Sequence, residues 1–84
     1  MNRLRMLFKR KPSLLEQCLE AARCLDQQFG GMASIDVQYH PYESHWIAKA
    51  SWSSGKTIGI VKENVDEAMK LLLGQLHITR EKGR

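Results

Sequence analysis

His45-Trp46-Ile47-Ala48-Lys49-Ala50-Ser51-Trp52, then Ser53-Ser54-Gly55, then Lys56-Thr57-Ile58-Gly59-Ile60-Val61, is the stretch whose reading decides the fold. Trp46, Ala48, Ala50 and Trp52 recur at every second residue, and a period of two places all four on one side of a strand. Ser53, Ser54 and Gly55 supply turn chemistry, with Gly55 able to take a positive φ, and a β-branched run begins at Thr57. The stretch reads as a β-hairpin. The alanines between the tryptophans leave room for a helix to approach the sheet, while the indoles supply buried area at either end.

Upstream, Ile35, Val37 and Tyr39 alternate with Ser34, Asp36, Gln38 and His40, which predicts a first strand with one buried face, ended by Pro41. Before it, Ser13-Leu14-Leu15-Glu16 has the form of a capping box. Leu14, Cys18, Ala21, Ala22, Leu25 and Phe29 follow at helical spacing, and Gly30-Gly31 stops the predicted helix. Downstream, Asn64 caps a second helix with Asp66 and Glu67 in its first turn, where they complement the helix dipole. Val65, Ala68, Met69, Leu72, Leu73 and Leu76 form its stripe, and Leu71 falls off it. Both stripes need the same Trp/Ala/Ile surface. The expected class is therefore α+β in the order α-β-β-β-α: a three-stranded antiparallel meander with two helices packed on one face.

The chain has 84 residues, of which 43% are hydrophobic, enough for one domain with a small core. We read residues 1–12 as a basic N-terminal tail, 13–78 as the folded domain and 79–84 as a basic C-terminal tail. The net charge of +4 is unevenly spread. Arg3, Arg5, Lys9, Arg10 and Lys11 precede any acid, and Arg80, Lys82 and Arg84 close the chain, whereas residues 13–78 hold eight acids and five bases. Attraction to a polyanion is thus expected of the tails and not of the body. No apolar run approaches the roughly 18 residues that span a membrane, and the N-terminus lacks the pattern of a secretory signal, so a cytoplasmic protein is expected. Cys18 and Cys24 are six apart, about 240° around a helix, and read as two thiols.

Ala50 to Thr57 fits the loose nucleotide-binding pattern ending Gly-Lys-Thr, but a phosphate cradle must open into a helix and this segment runs into a strand. Lys56 reads as an exposed turn lysine. His40, His45 and His77 with two cysteines lack the close ligand pairs of structural zinc, so no metal or other cofactor is expected, and nothing forms a nucleophile-base-orienter set. An enzyme is not expected.

The segment from Trp46 through Ser54-Gly55 to Ala68 and Leu72 resembles the last two strands and final helix of double-stranded RNA-binding domains. Gly55-Lys56-Thr57 with Val65-Asp66-Glu67-Ala68 is also similar to the hairpin and following helix of HicB-type antitoxins. Both resemblances imply the fold above. The RNA-binding family opens its last helix with lysines that clamp phosphate, where this chain has Glu63, Asn64, Asp66 and Glu67, whose acids repel it.

The functional expectation is a small non-catalytic regulator or inhibitor of the bacterial or phage accessory kind, acting by binding a partner protein. Its binding face would be the open side of the sheet, with Asp36, Gln38, Ile47, Lys49 and Thr57. The alternative is a nucleic-acid-binding protein that tracks phosphates with its basic arms. A homodimer is also expected, through an uncharged third-strand edge containing Ile58 and Ile60, or through Leu71.

Overall fold

A computed structural model of the chain describes residues 12–82. Arg3, Arg5, Lys9, Arg10, Lys11 and Arg84, six of the expected polyanion-binding residues, lie outside that range. The elements are α1 (Leu14–Arg23), α2 (Asp26–Phe29), β1 (Ala33–His40), β2 (His45–Trp52), β3 (Thr57–Lys62) and α3 (Val65–Lys82). The strands form one antiparallel sheet in the order β1-β2-β3, and the chain is an α+β fold of α-β-β-β-α layout.

Both helix starts are fixed locally. The Ser13 side chain accepts from the amide of Glu16 at 3.2 Å, and the Glu16 carboxylate accepts from the amide of Ser13 at 3.2 Å, so two otherwise orphaned donors are satisfied. At α3, the Asn64 side-chain oxygen accepts from the amide of Glu67 at 3.1 Å.

The register pairs Tyr39 with Trp46, Val37 with Ala48, Ile35 with Ala50 and Ala33 with Trp52, and sets Ile58 and Ile60 beside Ala50 and Ala48. These positions form the covered face. Ala48, Ala50 and Trp52 are buried there with Cys18, Ala21, Ala22, Leu25, Ala68, Leu72 and Leu76 in a single core. The two alanines have no exposed surface, and their small size lets the helices close on the middle strand.

Three sequence expectations need correction. The first helix is not continuous to Gly30: it breaks at Cys24 and Leu25 and resumes as α2. The cause is the carbonyl of Ala22, which accepts from the amide of Leu25 at 2.9 Å and from the indole Nε1 of Trp52 at 3.1 Å. A continuous helix would offer that carbonyl to Asp26. The buried indole takes its acceptor at that break.

Second, Tyr39 has the phase of the covered face but is 48% exposed. The packed core on β1 extends only through Val37. Beyond the reach of the helices, Tyr39 and the half-buried Trp46 cover one another, with ring centroids 5.0 Å apart. Third, the last helix continues through Lys82, into the segment read as a tail. Arg80 and Lys82 in its last turn complement the negative end of the helix dipole.

The link between α2 and β1 is tied to the β2–β3 turn. Gly30 takes a left-handed conformation at φ 74°, as a helix C-terminus favours. A Cβ on Gly31 would lie 2.7 Å from Cβ of Ser53. The hydroxyl of Ser54 donates to the carbonyl of Phe29, and the Ser53 amide donates to the Met32 carbonyl at 3.2 Å.

Candidate functional site: the open sheet face and its turn

Strand alternation puts one set of side chains opposite the helices. Ser34, Asp36, Gln38 and His40 come from β1; His45, Ile47, Lys49 and Ser51 from β2; Thr57, Gly59 and Val61 from β3. Among the described residues no helix packs on this side; the helix contacts go to the covered face. All five residues expected at a partner site are therefore neighbours on one surface. Asp36 pairs across strands with Lys49, Gln38 with Ile47, and Ile47 with Val61. Asp36, Gln38, Lys49 and Thr57 are exposed, Ile47 is half-buried, and Val61 is 53% exposed. Val61 was not picked out from the sequence, although its phase with Thr57 and Gly59 marks it.

The other expected residues are scattered. Ile58 and Ile60 point to the covered face and pack against the core, so the β3 edge offers its backbone and not these side chains. Leu71 lies on α3 and is 43% exposed. Arg80 and Lys82 are exposed near the far end of α3. Lys56 is exposed, with its ammonium 5.2 Å from the centroid of the Phe29 ring, a cation–π contact that fixes the turn lysine in place.

At one end of the face the β1–β2 turn, Pro41 to Ser44, gathers three potential ligands. A ring nitrogen of His40, a carboxylate oxygen of Glu43 and a ring nitrogen of His45 all lie within 4.8 Å of one another. The two histidines are the last cross-strand pair of the ladder, with ring centroids 5.3 Å apart. Nε2 of His40 is enclosed and has no hydrogen-bond partner among the described residues. Ser44, between Glu43 and His45, is the non-glycine residue at positive φ among the described residues, 52°. Beside the turn is a shallow cleft of about 400 Å³ lined by Glu43, His45, Val61, Lys62, Glu63 and Glu67. Lys62 reaches Glu67 at 3.8 Å.

No protein-family model matches this chain, and no curated protein or solved structure does.

A second groove runs between α1 and α3, lined in part by Glu20, Cys24, His77 and Arg80. Of the two thiols, Cys24 is exposed, whereas Cys18 is buried and donates to the carbonyl of Met69 at 3.3 Å across the helix pair. Burial pushes the Cys18 thiol up from its ordinary pKa, because the thiolate is the form that loses hydration.

Proposed function

We propose that the protein is a non-catalytic regulator that works by binding a partner protein through the open face of its sheet. The observation that carries this reading is the composition of that face. Asp36 and Lys49 bring both charge signs to its middle, Gln38 and Thr57 bring hydrogen-bonding groups, and Ile47 and Val61 bring apolar surface beside them. Such a mixture suits a protein interface, whereas a phosphate-tracking surface concentrates bases. Residues 12–82 hold all nine acids of the chain and seven of its 13 bases, and Glu63, Asp66 and Glu67 are exposed at the start of α3.

The face alone is small. Strands spaced about 4.8 Å apart and rising about 3.3 Å per residue give a surface of roughly 10 by 26 Å, well under the ~800 Å² that each side of a stable interface contributes. A partner must also engage the rim, where the fully exposed Tyr42 supplies an aromatic anchor.

A charge exchange tests the reading. Asp36→Lys combined with Lys49→Glu keeps opposite charges across the β1–β2 pair and so spares the fold, while reversing the pattern a partner meets. Affinity capture from lysate, with nuclease present, is expected to retain a protein on the native chain and on a chain lacking residues 1–11, and to lose it on the exchanged variant. Capture that depends on nucleic acid and on residues 1–11, indifferent to the exchange, would instead support the basic-arm reading, for which Arg80 and Lys82 at one end of α3 are the described contributors.

The same reading includes a symmetric homodimer formed at the β3 edge or at Leu71. Thr57 to Val61 carries no charge or proline along its free edge. Light scattering at micromolar concentration is expected to give twice the chain mass, lost on Val61→Lys if the edge is used and on Leu71→Lys if the helix is used. A single-chain mass that does not change on concentration rules the dimer out.

A further inference from the structure

We infer that His40, Glu43 and His45 form a site for a divalent transition-metal ion of the zinc class at the β1–β2 turn. The donors come from residues within one turn of the chain and lie within 4.8 Å of one another. Zinc holds nitrogen at about 2.0–2.1 Å and carboxylate oxygen at about 2.0–2.2 Å, which places tetrahedral donors roughly 3.3 Å apart. Glu43 is exposed, so its side chain has room to rotate toward the two imidazoles and close the difference.

The donor set indicates the ion. Two imidazoles and one carboxylate suit zinc, copper or nickel, whereas calcium and magnesium require a shell of oxygens. The surroundings agree. The adjoining cleft carries the carboxylates of Glu63 and Glu67 beside Glu43 and His45, opposed by the one ammonium of Lys62, which already faces Glu67. The unpartnered Nε2 of His40 is a polar atom out of contact with water, the kind of group that coordination satisfies. Three protein ligands leave at least one position for water or for a donor from elsewhere, so the ion should exchange and yield to chelators.

Bound there, the ion ties the end of β1 to the start of β2, at the end of the sheet where α3 begins. The fold holds the three donors together more firmly than the unfolded chain does, so binding raises thermal stability by mass action.

The test uses the full, untagged chain stripped with chelator and titrated calorimetrically with zinc. One ion per chain is expected, with a rise in Tm that chelator reverses and that magnesium and calcium do not produce. Glu43→Gln, at an exposed position, and His45→Gln are each expected to weaken binding at least tenfold, while Cys24→Ser leaves it unchanged. Circular dichroism establishes that each variant is folded. Backbone NMR shifts in the native chain report independently of the variants and should move at residues 40–45 and 61–67. No stoichiometric binding overturns the site. So does binding that survives both Glu43→Gln and His45→Gln, or shifts centred on Cys24 and His77.

Discussion

Trp52 shows how one side chain can set the path of another element. It is 3% exposed, meets Phe29 edge to face at 4.6 Å, and directs its N–H to the carbonyl of Ala22. Trp52→Phe is expected to destabilise the fold by about 2 kcal/mol, through a lost hydrogen bond and a partly filled site; urea denaturation measures it. The cysteines differ as sharply. Thiol labelling should modify Cys24 at once and Cys18 only as the chain unfolds. Cys18 also makes stability depend on pH. Its folded pKa is raised, so the folded state holds this proton more tightly, and the contribution is fully present below the unfolded thiol value of about 8.5. It is lost as pH rises from there through the higher folded value. Denaturation curves from pH about 7 to about 10 should therefore fall more steeply for the native chain than for Cys18→Ala; equal slopes would contradict a shielded thiol.

Among the elements, two glycines make opposite predictions. Gly31 has φ 147° and faces Ser53 at a distance no Cβ tolerates, so Gly31→Ala is expected to cost about 1–3 kcal/mol by straining the link to the β2–β3 turn. Gly74 lies within α3 with nothing within 4 Å of an added Cβ, so Gly74→Ala should stabilise by about 0.5–1 kcal/mol. Thermal unfolding of the two variants should move in opposite directions. The elements themselves were legible because their signals are local: alternation around Ala48 and Ala50, the Ser13–Glu16 box, the Asn64 cap. The break after Arg23 was not, because its cause is an indole 30 residues away. Nor was the exposure of Tyr39, which depends on how far the helices extend along the strand. The open face was readable from period two, so Asp36, Gln38, Ile47, Lys49 and Thr57 came out together. His40 and His45 were visible individually, but their meeting with Glu43 requires the register that pairs His40 with His45 and the left-handed turn at Ser44.

At the scale of the whole molecule, the helices cover one face of the sheet, and among the described residues they leave the other open. The helices take the Trp/Ala/Ile side, and the acidic start of α3 stands at the same end of the sheet as the β1–β2 turn. The proposed partner surface therefore runs from the middle of the sheet toward Tyr42 and away from Arg80 and Lys82. Removing residues 1–11 is expected to leave the Tm nearly unchanged, since the capping box starts at Ser13. Isotope-labelled chain titrated with its captured partner gives the most direct test, read as amide shifts residue by residue. The account predicts changes concentrated at Asp36, Gln38, Ile47, Lys49, Thr57 and Val61, extending to Tyr42, with α1 unaffected. Changes confined to residues 1–11 and to the Arg80–Lys82 end of α3, with the open face silent, would contradict it.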